Sequence, residues 1–324
     1  MCHAIKLYQT GGTEVMRFEK AGLTEPGHGE ALVRHTAIGV NYIDVYCRNG
    51  LYPQPLPGTL GKEAAGVVEA VGSGVTDVKV GDRVVYCNGP LGAYSEARVI
   101  PAEFLMRLPE GIGDADAAAA MLKGLTVQYL FRQTYHLREG ETFLFHAAAG
   151  GVGLIACQWA RALGARMIGT VGSDEKAALV KAHGCEYVIN YRKENFLERV
   201  KALTDGKGVD VVYDSVGRDT FPLSLDCLKP RGLWVSFGNS SGPVPPFEIS
   251  VLAQKGSLFA TRPSLFSYAD SRSALLAMSG ELFALMQSGK IRTTPRHRFP
   301  LKEAAEAHHL LESRGTSGAT VLIP

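Results

Sequence analysis

Two patterns of apolar and polar positions divide the chain. From the N-terminus to about residue 110, short runs with strand character, such as ALVRHTAIGV (31–40) and AAGVVEAVG (64–72), are separated by Gly and Pro clusters such as YPQPLPGTLG (52–61). This part reads as β-rich and loop-rich. From about Glu141 strands and helices alternate: TFLFHA (142–147), GVGLIACQWARALG (151–164), ARMIGTV (165–171), DEKAALVKAHG (174–184) and EYVINY (186–191) form a βαβαβ series. The series continues through the helical ENFLERVKALT (194–204), the strand VDVVYDSVG (209–217), the helix-like TFPLSLDCL (220–228) and the strand GLWVSFGNSSG (232–242). Strand-helix units in series predict a parallel sheet covered on both faces, which binds ligands at the carboxyl ends of its strands. After Thr261 the alternation stops, a polar helix-like segment follows (271–289), and ATVLI (319–323) supplies a last strand.

Composition narrows the picture modestly. A chain of 324 residues with 46% hydrophobic and 20% charged content can fill two cores. Thirty-four basic against 32 acidic side chains give a net charge of +2 without long like-charge blocks, which argues against a bulk electrostatic pull toward nucleic acid or membrane. Six widely spaced cysteines in core-like segments suit a reduced compartment, and the N-terminus lacks the layout of a signal peptide, so a cytoplasmic location is expected. Phe143 to Ala160 is an uncharged stretch of 18 residues, yet His146 and three glycines near its middle favour strand, turn and buried helix over a membrane span.

The turn AAAGGVG (147–153) places Gly150 and Gly153 at G-x-x-G spacing, with Ala147 where a first glycine is common. Small residues there let backbone amides approach a pyrophosphate at the positive end of a helix, and the last glycine permits close helix-sheet packing. An NAD site carries Asp or Glu about 20 residues further on, to hold the ribose 2′-hydroxyl. Here that strand ends in Val171-Gly172-Ser173, with no carboxylate. Asp174 and Glu175 follow at the start of the next helix, where acids serve as caps, whereas Lys176 can reach back to a 2′-phosphate. NADPH is therefore the expected cofactor. Two other chemistries fail on context. Gly238-Asn239-Ser240-Ser241-Gly242 matches G-x-S-x-G, but Pro243, Pro245 and Pro246 forbid the helix that a nucleophile elbow requires. No Cys-x-x-Cys and no His pair at i, i+4 occur, and the adjacent His308 and His309 would point apart on a helix.

At this point the chain resembles the medium-chain dehydrogenase/reductase superfamily, and within it the zeta-crystallin-like NADPH:quinone oxidoreductases of bacteria. The resemblance spans essentially the whole chain and rests on GVNYIDVYCRNGLYP (39–53), GKEAAGVVEAVGSGV (61–75), AAAGGVG (147–153), YDSVG (213–217), SFGNSSG (236–242), TRPSL (261–265) and LESR (311–314). It implies an α/β fold in which a GroES-like β-rich catalytic domain (1–122 with 263–324) accompanies a Rossmann doubly wound parallel-sheet domain (123–262). In zinc-dependent relatives a Cys ligand stands at the position of Asn41 and a His-Glu pair at Lys62-Glu63, and the four-cysteine lobe has no counterpart here, so no metal is expected. A quinone accepts hydride without a Lewis acid on its oxygen, and positioning becomes the main demand.

By resemblance, Asn41 would hydrogen-bond in the pocket, and Tyr46 and Tyr52 would form aromatic walls or aim a hydroxyl at the quinone, with solvent able to supply the proton. Lys176, Tyr191 and Arg314 would surround the 2′-phosphate, with Gly172 and Ser173 at the strand end. Gly150, Gly151, Val152, Ser215, Phe237, Gly238, Ser240 and Arg262 would line the rest of the groove, Asn41 would also border the cofactor, and Thr126 would serve its nicotinamide half. A homodimer joined through Rossmann sheet edges is the family expectation. Two other readings remain at this stage: an NADPH-dependent reductase of enones or 2-enoyl thioesters, with Tyr46 or Tyr52 as proton donor, and a crystallin-like structural or RNA-binding protein that holds NADPH.

Overall fold

A computed structural model describes all 324 residues. They form two compact units, Met1–Leu125 with Ser271–Pro324, and Thr126–Asp270.

The discontinuous unit is organised by the strand Glu30–Val40. Glu63–Val71 runs antiparallel along one edge of it, while Ala97–Pro101 and Thr320–Ile323 pair with its first and last parts. Arg83–Tyr86, Met106–Arg107 and His297–Pro300 complete a seven-stranded sheet, and a smaller sheet joins Arg17–Ala21, Cys2–Leu7 and Gly58–Thr59. Ala31, Val33, His35 and Ala37 alternate inward along the long strand, and Val33 and Ile38 join Leu60, Val84, Tyr86, Tyr94 and Ile100 in the core. This is the β-rich, loop-rich part read from the short strands and Gly-Pro clusters, and it matches the GroES-like domain that the resemblance implies. The helix Arg272–Gln287 corrects the reading of that segment as polar, because Leu275, Met278, Ser279, Leu282 and Phe283 form a buried stripe at helical spacing. Leu282 packs where Gly124 of the helix Asp114–Tyr129 has no side chain, and a Cβ at 124 would fall 2.5 Å from its Cδ2.

The second unit holds six parallel strands: Thr142–Phe145, Arg166–Val171, Tyr187–Asn190, Val209–Asp214, Leu228–Ser236 and Phe259–Thr261. Numbered along the chain they lie in the order 3-2-1-4-5-6, the doubly wound arrangement, with its switch point beside Thr142–Phe145. Phe143, Leu144 and Phe145 are buried without alternation, as a strand covered on both faces requires. The helix Gly151–Leu163 follows that strand and ends at Gly164, whose φ of +73° is the left-handed closing conformation glycine adopts without strain. No helix is long and apolar enough to cross a membrane. The expected helix in TFPLSLDCL shrinks to Leu223–Asp226, since Pro222 offers no N–H and disfavours helical geometry at Phe221, while Leu228 already begins the next strand.

Candidate active site

Where the strand Glu30–Val40 ends, Asn41 takes the N-cap of the short helix Tyr42–Arg48. Its amide is held at both ends: Nδ2 donates to Glu63 Oε2 at 2.8 Å, and Oδ1 accepts from Lys123 Nζ at 2.8 Å. Lys123 also lies 3.2 Å from Glu63 Oε2, and the second carboxylate oxygen accepts the Leu122 N–H at 2.7 Å. Asn41, Glu63 and Lys123 are only 6%, 0% and 5% exposed, so this is a buried and mutually satisfied cluster. Gly39 lets it form, because any Cβ at 39 would collide with the Glu63 carboxylate and the Ala118 carbonyl.

Lys123 was not foreseen. Its signal was a single lysine in the alanine-rich run ADAAAAMLKGL, but its partner lies 60 residues earlier in the chain. The cluster bears on the metal question through its donor chemistry. An ammonium already neutralises Glu63, Lys62 places a second one on the Gly89 carbonyl at 2.9 Å, and a divalent ion here would meet repulsion. No three His, Cys, Asp or Glu side chains converge elsewhere in ligating geometry.

The same helix carries an aromatic wall. Tyr46 lies between Tyr42 and Tyr52, with ring centroids 5.9 and 5.2 Å away, and Tyr52 N–H donates to the Tyr46 carbonyl at 2.9 Å. Beneath it runs a buried polar chain. Arg48 can only donate, so His308 Nδ1, 3.1 Å from Arg48 Nη1, is an acceptor and the ring proton sits on Nε2. That proton points to Tyr94 Oη at 2.9 Å, and the Tyr94 hydroxyl donates to Asp44 Oδ2 at 3.1 Å, which also accepts the Asn41 N–H at 2.9 Å. Desolvation, reinforced by Arg48, lowers the pKa of His308 to about 3, while burial lifts Asp44 to about 7 against the backbone and Tyr94 hydrogen bonds that oppose it. His308 is buried and His309 is exposed, so the two histidines do point apart.

In the second unit the glycine turn takes the expected form. Ala147 adopts φ +56°, the left-handed conformation usually left to glycine, and Gly150 caps the helix Gly151–Leu163. The first-turn N–H groups of Gly151, Val152 and Gly153 have no intrahelical acceptor and form an anion cradle. A Cβ at Gly153 would strike the Ala148 backbone, which is the close helix-sheet approach predicted for that position.

Two loops meet at the ends of the strands Val209–Asp214 and Leu228–Ser236. The buried Asp214 carboxylate accepts from Val216 N, Gly217 N and Thr220 Oγ1 at 2.9, 3.1 and 2.9 Å, pinning the loop that bears Ser215. Ser240 N–H donates to the Ser215 carbonyl at 3.1 Å, and a Cβ at Gly238 would lie 2.6 Å from that same oxygen. Arg262 ties the second loop down through Ser236 O and Gly238 O, at 2.9 and 3.1 Å. Ser215, Phe237, Gly238, Ser240 and Arg262 are thus brought together. No helix begins between Ser236 and Ser250, so Ser240 is not on a nucleophile elbow.

At the strand end Val171-Gly172, the Tyr191 hydroxyl stands 2.6 Å from where a residue-172 Cβ would be. Ser173 caps the helix Asp174–Ala182 by accepting the Lys176 N–H at 3.2 Å, which sets Lys176 in the first turn beside Gly172. Asp174 is held by Asn190 Nδ2 at 2.8 Å and by Lys193, so the nearest carboxylate already has its partners. Thr126 is buried at the first position of this unit. Arg314 belongs to the other unit and follows the helix Ala304–Glu312 in a left-handed conformation, φ +59°.

Known proteins resemble this chain along its whole length. A family described as "Alcohol dehydrogenase GroES-like domain" matches residues 27–110, and one described as "Zinc-binding dehydrogenase" matches 151–273. The chain is similar to a quinone oxidoreductase of Pseudomonas aeruginosa, 58% identical with all of both chains covered. It is 46% identical to a 2-haloacrylate reductase of a Burkholderia species, covering 100% of this chain and 99% of that one. Among solved structures, a quinone oxidoreductase of Escherichia coli complexed with NADPH superposes with a TM-score of 0.98 at 54% identity, over 99% of this chain and 100% of that one.

Proposed function

The chain belongs to the quinone oxidoreductases of the medium-chain dehydrogenase/reductase superfamily, and from that membership we propose that it reduces quinones with NADPH by direct hydride transfer. The observation that carries the reading is the cluster around Asn41. Where a metal-dependent relative would need ligands, this chain offers an amide, a carboxylate and an ammonium already bonded to one another. Such a site orients and hydrogen-bonds an acceptor; it does not polarise one through a Lewis acid. The residues that fit NADPH are the amide cradle at Gly150, Gly151 and Val152, the close loops at Ser215 and Gly238, and the carboxylate-free strand end at Gly172. When bound, the cofactor supplies a hydride from its nicotinamide.

In this reading residues 1–122 with 263–324 form the catalytic domain and 123–262 the cofactor domain. Asn41 has a second Nδ2 hydrogen to offer an acceptor oxygen, and Tyr46 and Tyr52 stack against the acceptor ring. Thr126 serves the nicotinamide half, Phe237, Ser240 and Arg262 shape the groove, and Ser173, Lys176, Tyr191 and Arg314 hold the 2′-phosphate. A hydroquinone oxyanion takes its proton from solvent, so no side chain must be spent as an acid. We further infer a cytoplasmic homodimer, the former supported by six buried free thiols.

The similarity to a 2-haloacrylate reductase favours a second reading, reduction of an activated C=C bond. The test follows NADPH oxidation with 1,4-benzoquinone, naphthoquinones and an α,β-enone, each repeated with NADH and with a chelator. Quinone reduction that prefers NADPH and ignores the chelator is expected. Turnover of the enone alone transfers the assignment to C=C reduction, and inert acceptors with intact NADPH binding overturn both.

A further inference from the structure

The carboxylate-free strand end at Gly172 is framed by two side chains. Beside the Tyr191 hydroxyl, Arg192 places its Nε 3.7 Å from the point a Cβ of residue 172 would occupy. That direction is the one in which an NAD enzyme projects its ribose-binding carboxylate, and so the one in which the ribose 2′-oxygen lies. Arg192 is also placed rather than trailing. Its N–H donates to Asn190 Oδ1 at 3.2 Å in a turn that closes directly after the strand Tyr187–Asn190, and the same Asn190 amide holds Asp174.

The neighbouring charges are used differently. Lys193 is paired with Asp174, Arg199 with Glu194 and Arg166 with Glu186, whereas the Arg192 guanidinium is exposed and makes no hydrogen bond or ion pair. With Asp174 held by Lys193 and Asn190, and Glu194 by Arg199, the nearby carboxylates already have partners.

We propose that Arg192 is a specificity-determining residue that, with Tyr191 and Lys176, binds the 2′-phosphate of NADPH through its planar guanidinium. The inference rests on the NADPH reading and adds a second cation within the same unit. A guanidinium suits a phosphate dianion because it donates two parallel N–H groups, which a lysine ammonium does not match. It also explains why residue 172 carries no side chain: a carboxylate there would pair with Arg192 and occupy it.

The test is calorimetric titration of the whole enzyme with 2′,5′-ADP and with 5′-AMP, fragments that differ only in the 2′-phosphate. Wild type is expected to prefer 2′,5′-ADP. Arg192→Gln should weaken 2′,5′-ADP by about tenfold, the discounted worth of one charge-assisted contact at an exposed site, and leave 5′-AMP unchanged. Arg192→Lys should recover part of the loss. An unchanged melting temperature is expected of both variants, because the side chain has no folded-state partner. If wild type prefers 2′,5′-ADP and Arg192→Gln keeps that preference in full, Arg192 is a solvated surface arginine and the proposal is overturned while the NADPH reading stands. If wild type shows no preference, the NADPH reading itself falls and takes the proposal with it. Equal weakening of both fragments would mean that Arg192 acts on the adenosine moiety rather than the phosphate, which also overturns the proposal.

Discussion

Lys123 sits next to four consecutive buried alanines and one leucine-methionine pair, and its ammonium is dehydrated only because Glu63 and Asn41 receive it. Removing one partner of a buried pair leaves the other charge without solvent or counterion, which costs about 3–5 kcal/mol, whereas removing both is nearly neutral. Lys123→Met should therefore lose stability on that scale in urea denaturation at neutral pH, and Lys123→Met with Glu63→Gln should recover most of it. A double variant as unstable as the single one would show that Glu63 is not the charge Lys123 compensates. The single variant should also lower kcat while sparing the affinity for NADPH, since Asn41 loses the donor that fixes its amide. Of this cluster the sequence revealed Asn41 and the departure at Lys62-Glu63, through family resemblance. It could not reveal Lys123, because a lysine in an alanine run looks like a solvated helix residue until the strand carrying Glu63 is laid across it.

Elements were legible where burial is one-sided or where strands and helices alternate, and illegible where it is complete. The βαβ series and its glycine turn follow from periodicity and spacing, but Ala117–Ala120 are all buried, so the helix Asp114–Tyr129 has no polar stripe to announce it there. The helix Ala304–Glu312 has a weak signal for a related reason: its buried face combines the small Ala304 and Ala307 with polar docking, His308 to Tyr94 and Arg48 to Glu312. That mode of docking makes its stability depend on pH. His308 and His35, the latter donating from Nδ1 to the Ser95 carbonyl, are held to about 3 and about 4 by burial, against 6.5 when exposed. Unfolded, each binds a proton that the folded chain refuses, so the stability they contribute is complete above 6.5 and is lost as pH falls toward those values. Asp44, lifted from 3.8 to about 7, acts oppositely, since its contribution is complete below 3.8 and is lost as pH rises through about 7. At pH 5 two uptakes outweigh one release, and the net slope is destabilising toward acid. His308→Gln, which can still accept from Arg48 and donate to Tyr94, should flatten the acid limb by about 1.4 kcal/mol per pH unit between pH 6 and 4, read from urea midpoints across that range. A variant whose limb is as steep as that of wild type would place the titrating group elsewhere.

For the whole molecule, a net charge of +2 without a long basic run predicts that any affinity for single-stranded RNA is weak and changes little with salt; a steep loss of binding with added salt would contradict it. What the molecule does leave exposed is a sheet edge. Phe259–Thr261 is the last strand of the parallel sheet, paired on one side only, with Phe259 61% exposed and Ile249 80% exposed. An open edge with large apolar side chains invites pairing with another chain, and proteins that stay monomeric protect such edges with lysine, proline or a covering element. Neither lysine nor proline falls within Phe259–Thr261, although Pro263 follows two residues on, and a homodimer formed edge to edge is the expected assembly. Phe259→Lys installs the missing gatekeeper without touching the glycine turn or the strand end at Gly172. Sedimentation equilibrium is expected to show a dimer for wild type and a monomer for the variant, with 2′,5′-ADP affinity unchanged. A variant that remains dimeric would move the interface away from this edge, and a monomeric wild type would mean that the exposed phenylalanine is tolerated because the strand is only three residues long, too short to template a partner.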